Sequence, residues 1–240
     1  MKRALASLVV FGGCAAGGSS AQSDADPGGR DARRDAIEDF RDAPTDGRPD
    51  ARPIDARPID APPPDACVPQ LTELLTNPVF DLGPIGAGWN QTVIDPAYPL
   101  ITGDDGVPEH SAPYKAWLGG LESNFGTATD VLFQDVTVPA NTTQLVLTGF
   151  YEVRTAEAAT DTNVYDTASV DLTQPNGTPI LSVLGVSNRT PTTTWTAINQ
   201  LVAQNLAGMT VRVRMTSSND FLNATSFYFD TLSLKATHCP

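Results

Sequence analysis

The groups in this chain best suited to acid–base chemistry are carboxylates: Asp104, Asp105 and Glu109 in one stretch, Glu152 and Glu157 in another. Two carboxylates flanking a glycosidic bond can hydrolyse it, one as acid and one as base or nucleophile, if they stand roughly 5 to 10 Å apart. The same residues also compose an acidic, solvated surface, and sequence alone does not set their separation. The rest of the catalytic vocabulary is thin. Histidine occurs only as His110 and His238. The chain has no His-Glu-x-x-His zinc motif, no Gly-x-Ser-x-Gly elbow and no glycine-rich phosphate loop opening a helix. Gly83, Gly86 and Gly88 read as a loop, because no helical pattern follows them. These absences point to a noncatalytic protein, with glycoside hydrolysis by paired carboxylates as the enzymatic alternative.

The three cysteines divide the chain at Cys14, Cys67 and Cys239. Met1-Lys2-Arg3 gives a cationic start and Ala4 to Gly13 an uncharged apolar run, the n- and h-regions of a secretory signal. That run is too short for a membrane span, which needs about 20 apolar residues. Gly12-Gly13-Cys14 resembles the lipobox of bacterial lipoproteins, in which the cysteine becomes a lipidated first residue. Phe11 departs from the usual leucine of that motif. The competing expectation is signal-peptide cleavage after Ser19-Ser20-Ala21 and release of a soluble protein. With lipidation at Cys14 the protein is a membrane-anchored outer-membrane or cell-surface protein, since Ala15 supplies no inner-membrane retention signal of the Asp type.

Residues 1–20 are therefore expected to be a signal peptide, and residues 21–66 a disordered spacer. The spacer's large apolar residues are only Ile37, Phe40, Ile54 and Ile59, too few to offset chain entropy. An approximate five-residue period (Asp50-Ala51-Arg52-Pro53-Ile54, Asp55-Ala56-Arg57-Pro58-Ile59, Asp60-Ala61-Pro62-Pro63-Pro64) places proline at nearly fixed intervals. Proline removes backbone donors and favours extended polyproline II, so this tether could hold a domain on the order of 100 Å from its anchor. A binding arm built on Arg48, Arg52 and Arg57 is disfavoured by the acidic majority in the same stretch.

Residues 67–240 are one domain's worth of chain. They hold 16 Asp and Glu against 6 Lys and Arg, which disfavours nucleic acid as a partner. Cys67 and Cys239 are the only cysteines in this part, and an exported protein meets an oxidising compartment, so they are expected to pair. The bond would bring the first and last strands together.

Met209 to Met215 alternates strictly, with Met209, Val211, Val213 and Met215 expected inside and Arg212 and Arg214 outside. Further strands are expected over Gln144 to Arg154, Val131 to Val138, Val164 to Thr173, Ile180 to Val186, Thr193 to Leu201 and Ser226 to Lys235. Pro175-Asn176-Gly177-Thr178-Pro179 is a hairpin signal, and Ser187 to Pro191 reads as a loop. Helix signals are weak, with Leu71 to Leu75 or Leu201 to Ala207 able to form a turn or two. Many strands at regular spacing predict an all-β antiparallel sandwich.

His110-Ser111-Ala112-Pro113-Tyr114-Lys115-Ala116-Trp117-Leu118-Gly119-Gly120, Leu132 to Ala140 and Thr225 to Leu234 together resemble the jelly-roll accessory domains of bacterial secreted enzymes, the carbohydrate-binding and MAM-like modules. The resemblance covers nearly all of Asn77 to Lys235 and implies a noncatalytic binding or adhesion module for a glycan or a protein. Its opening element matches Asn77-Pro78-Val79-Phe80-Asp81, and its closing Asp pair is matched only by Asp230, with Thr231 in the second position. It implies a structural Ca²⁺ near Asp81 and Asp230. It also implies aromatic platforms for a sugar, drawn from Trp89, Tyr98, Tyr114, Trp117 and Trp195. Trp89 and Tyr98, in Gly- and Pro-rich loops, are expected to be exposed. A purely structural envelope role is the third reading, favoured if those aromatics prove buried. Beside a lipobox of bacterial type, the Asn-x-Ser/Thr sequons at Asn90, Asn141, Asn188 and Asn223 read as incidental in a Thr-rich β protein.

Overall fold

A computed structural model of the chain describes residues 67–83, 87–104, 106–120, 127–220 and 222–240. The expectations for the signal, the lipobox at Cys14 and the spacer fall on residues outside these, as does Asp105. The described residues form eleven strands and no α-helix: β1 (Gln70–Glu73), β2 (Asn90–Thr92), β3 (Ile101–Thr102), β4 (Lys115–Gly119), β5 (Ala128–Thr137), β6 (Thr142–Thr155), β7 (Thr167–Thr173), β8 (Pro179–Ser187), β9 (Thr196–Leu201), β10 (Thr210–Asn219) and β11 (Thr225–His238). One sheet runs β3-β4-β11-β6-β9, with β1 also paired to β11, and the other runs β2-β5-β10-β7-β8. Every pairing is antiparallel. The architecture is an all-β sandwich.

Alternation explains the packing of the five-stranded sheet. Leu132 and Val136 of β5, Val211, Val213 and Met215 of β10, and Ala168, Val170 and Leu172 of β7 are buried and belong to one hydrophobic core. Intervening residues turn outward, as strand geometry requires. Met209 departs from the expected pattern. It precedes β10, its amide closes a turn to the Leu206 carbonyl at 3.0 Å, and its side chain is 40% exposed. The inward-pointing Gln134 is satisfied locally: it accepts from Thr76 N at 2.6 Å and donates to Thr76 O at 2.9 Å.

The six-stranded sheet needs a change of parity. Phe227 and Phe229 face the core in the first half of β11, whereas Leu232, Leu234 and Ala236 face it in the second. A bulge between Asp230 and Ser233, with Thr231 at a φ of 51°, makes the switch. Gly149 on the neighbouring strand makes room for it, since a Cβ there would lie 2.5 Å from Leu232 Cδ2.

Between β7 and β8 the expected hairpin forms. Gln174 N donates to Thr178 O and Gly177 N to Gln174 O, both at 2.8 Å, with Gly177 at a φ of 90°. The segment from Leu71, considered as a helical turn, is instead largely strand β1, held along the far half of β11. Cys67 and Cys239 are disulfide-bonded with Cα atoms 5.7 Å apart, beside this pairing. The bond closes a separation of 172 residues, which stabilises the fold by about 5 kcal/mol in the chain-entropy model.

Candidate functional site

The two sheets treat their outer faces differently. On the six-stranded sheet, residues 106–112, with Asp104, lie against the outward residues of β4, β6 and β11. Val107 packs with Trp117 and Tyr228 in a second apolar cluster that Trp195 flanks. Lys115 is fully buried, and its Nζ donates to the Asp104 carbonyl at 2.8 Å and to Glu109 Oε1 at 3.1 Å. Asp230, also fully buried, accepts from Ser111 N at 2.8 Å and Thr231 N at 2.6 Å. Burial pushes its carboxyl above the ordinary value, and the backbone donors partly offset that shift. His110 stacks on Phe150 with ring centroids 3.7 Å apart, and its Nδ1 lies 2.8 Å from Thr231 Oγ1. The Trp195 indole donates to Pro108 O at 3.0 Å.

Most of the residues expected to do chemistry fall on this closed side or inside the fold. Trp117, an expected sugar platform, is 1% exposed and sits 5.2 Å from the Tyr228 ring. Trp89, expected to be exposed, is 7% exposed; it packs 5.3 Å from Phe80 and donates to Asn77 O at 3.0 Å. Gly88 causes this, because its φ of 89° turns the chain so tightly against Thr76 and Gln134 that a Cβ would lie 2.8 Å from either. Tyr98 is half-buried in the loop between β2 and β3, in a turn whose amide reaches Asp95 O at 3.0 Å.

Two of the carboxylate candidates among the described residues are ion-paired. Glu109 is engaged by Lys115 and Glu152 by Arg154. Glu157 accepts from Asn223 at 3.3 Å, and burial holds its carboxyl above the ordinary range. Asp104 is exposed on the loop.

The residues expected near Ca²⁺ sit in unlike settings, Asp81 exposed and Asp230 engaged with backbone amides. Ca²⁺ takes six to eight oxygens. Among the described residues no group of three or more His, Cys, Asp or Glu side chains is placed to hold a metal, so an ion there would draw most of its donors from backbone carbonyls and water.

On the five-stranded sheet the outward mid-sheet residues keep solvent contact, with Asp135 exposed and Phe133, Asp171, Arg212 and Arg214 half-buried. Register places Arg214 between Phe133 of β5 and Asp171 of β7, and Arg212 between Asp135 and Thr173. The Arg212 guanidinium grips Asp135 through two bonds, Nε to Oδ1 at 2.6 Å and Nη2 to Oδ2 at 2.9 Å, and lies 3.9 Å above the Phe133 ring centroid. Asp135 holds the guanidinium pKa above its ordinary value. A fork fixed by a carboxylate and a ring keeps its remaining donors in place. Arg214 makes no ion pair or side-chain hydrogen bond among the described residues. Asp171 beside it accepts from Ser169 Oγ at 2.6 Å and keeps a further acceptor capacity. Two arginines and two aspartates give this patch no net charge, within a domain where acids outnumber bases.

Of these residues only the outward orientation of Arg212 and Arg214 was legible from alternation. Phe133 and Asp135 alternate outward on β5 by the same rule, but the register that sets them against the arginines is tertiary. Asp171 has no sequence signal of its own.

No family model matches the chain, and no curated protein matches it. Solved structures resemble it at low identity. The carbohydrate-binding module TmCBM61, solved in complex with beta-1,4-galactotriose, is 13% identical with a TM-score of 0.48, over 68% of this chain and 97% of that one. A Stig cyclase, Fisc from Fischerella sp. TAU, is 12% identical with a TM-score of 0.43, over 71% and 100%. The CBM22-1 xylan-binding domain of Xyn10C from Paenibacillus barcinonensis is 12% identical with a TM-score of 0.36, over 73% and 99%.

Proposed function

We propose that this chain is a noncatalytic, surface-displayed module that binds a neutral glycan on the outer face of its five-stranded sheet. In this reading Cys14 carries the lipid, residues 21–66 are the spacer and residues 67–240 present the ligand face. One observation carries the reading: the charge-balanced patch of Arg212, Arg214, Asp135 and Asp171 around Phe133 stays partly exposed at mid-sheet. Sugars offer vicinal hydroxyls that both donate and accept. A guanidinium supplies two parallel donors, a carboxylate supplies acceptors, and an aromatic edge covers the C–H face of the ring. The balance of charge favours uncharged sugars over uronates or amines. The ion-paired state of Glu109 and Glu152 supports binding over hydrolysis.

The test is a glycan array probed with the full exported chain and with Arg214→Ala. The expected result is binding to one class of neutral oligosaccharide that falls by about tenfold in affinity in the variant, the equivalent of about 1.4 kcal/mol. Binding to no neutral glycan, or binding that Arg214→Ala leaves unchanged, contradicts the reading.

A further inference from the structure

We infer that a second, separate site lies in the cleft between the start of β6 and the segment following β9, and that it takes a single uncharged acetamido-sugar residue. The cleft holds about 210 Å³. Its floor is aliphatic, formed by the buried Val138, Leu145, Val202 and Leu206. Its rim carries three exposed carboxamides, Gln144, Gln204 and Asn205, and no lining residue is charged.

The walls are fixed by the backbone. Val202 N donates to Leu145 O and Val138 N to Met209 O, both at 2.9 Å. Thr142 and Thr143 spend their hydroxyl protons on Pro139 O at 2.7 Å and Thr237 O at 3.1 Å, so each hydroxyl oxygen remains an acceptor. The carboxamides of Gln144 and Gln204 have no hydrogen-bond partner among the described residues, and Asn205 uses only its oxygen, on Ala207 N at 3.3 Å.

Each part of the lining selects for a part of the ligand. Sites for drug-sized molecules are about 300 to 1,000 Å³, so this cleft suits one ring rather than a chain. A charged ligand would lose hydration with no counter-charge to replace it. An acetamido group matches what is present, because its carbonyl accepts from a carboxamide N–H, its N–H donates to a carboxamide oxygen and its methyl rests on the aliphatic floor. The cleft lies at the disulfide end of the sandwich, where the turn that opens β6 accepts the Cys239 amide at Asn141 O. A ligand held there is distinct from one on the Arg214 face.

Two-dimensional NMR of the ¹⁵N-labelled full chain, titrated with N-acetylglucosamine, glucose and glucuronate as probes, tests the site. N-acetylglucosamine should move the side-chain amide signals of Gln144, Gln204 and Asn205 saturably. Glucose should bind at least about tenfold more weakly, and glucuronate should move none of them. Ala203→Trp, which fills the cleft from an exposed position, and the smaller double change Gln204→Ala with Asn205→Ala should both abolish the shift of the Gln144 signal, which both variants retain. Arg214→Ala should leave it intact. Absence of a saturable shift with N-acetylglucosamine, equal binding of glucose, or loss of the response in Arg214→Ala overturns the inference; only the last of these would merge this site with the glycan face.

Discussion

The outer faces of the two sheets are built from similar residue types and end in opposite states. The six-stranded sheet carries Trp117, Tyr228, Lys115, Glu152 and Asp230 on its outward side, all of them buried. The five-stranded sheet carries Phe133, Asp135, Asp171, Arg212 and Arg214, all at least partly exposed. The difference is the strap of residues 106–112, with Asp104, which covers the first face and is fastened by Lys115, Asp230 and Trp195. On the covered face aromatic and ionic groups stabilise the fold. On the open face the same chemistry is available to a ligand.

Breaking the covered face should be costly and should leave binding alone. Trp117→Ala removes a fully enclosed indole, and denaturant unfolding should show a loss of roughly 3 to 5 kcal/mol. Lys115→Ala removes the buried cation that ties Asp104 and Glu109 to the sheet. It should cost roughly 3 kcal/mol, since one partner of a buried pair is left without its charge. Lys115→Met, which keeps the apolar stem, should recover part of that loss in the same measurement. Arg214→Ala on the open face should change stability by no more than about 0.5 kcal/mol. A large loss there would mean that the arginine belongs to the framework and would erase the contrast between the faces.

The smallest effect is a pH dependence. Burial raises the carboxyl of Asp230 above its ordinary value of 3.8. A raised folded-state pKa means that the stabilising contribution is complete below the unfolded value and is lost as pH rises through the folded one. The melting temperature of the wild type, relative to Asp230→Asn, should therefore climb as pH falls from about 7 to about 4. A difference that is flat with pH, or that widens toward neutrality, would show that the closed face does not desolvate this group.

Strands were legible where alternation is local. Val211, Val213 and Met215 point inward, and the Asn176-Gly177 turn forms, because pleat and turn chemistry depend on neighbours in sequence. The parity switch in β11 was not legible, since it rests on a non-glycine residue at positive φ and on space that a glycine of another strand provides. Nor was the burial of Trp117, which depends on a strap whose contacts are tertiary. Trp89 misleads for a related reason. Its Gly-rich surroundings suggest exposure, yet Gly88 lets the chain approach Gln134 closely enough to bury the ring. The Arg212–Arg214 patch was half legible, because alternation turns the arginines outward while only register supplies Phe133, Asp135 and Asp171.

The contrast between the faces is tested most directly by calorimetric titration of a neutral oligosaccharide, selected on the array, into wild type, Arg214→Ala and His110→Ala. Arg214 marks the open face, and His110 is the exposed ring of the strap. The account predicts that affinity falls about tenfold in Arg214→Ala and is unchanged in His110→Ala. The reverse outcome, with loss on His110→Ala and none on Arg214→Ala, would place the ligand on the strapped face and contradict it.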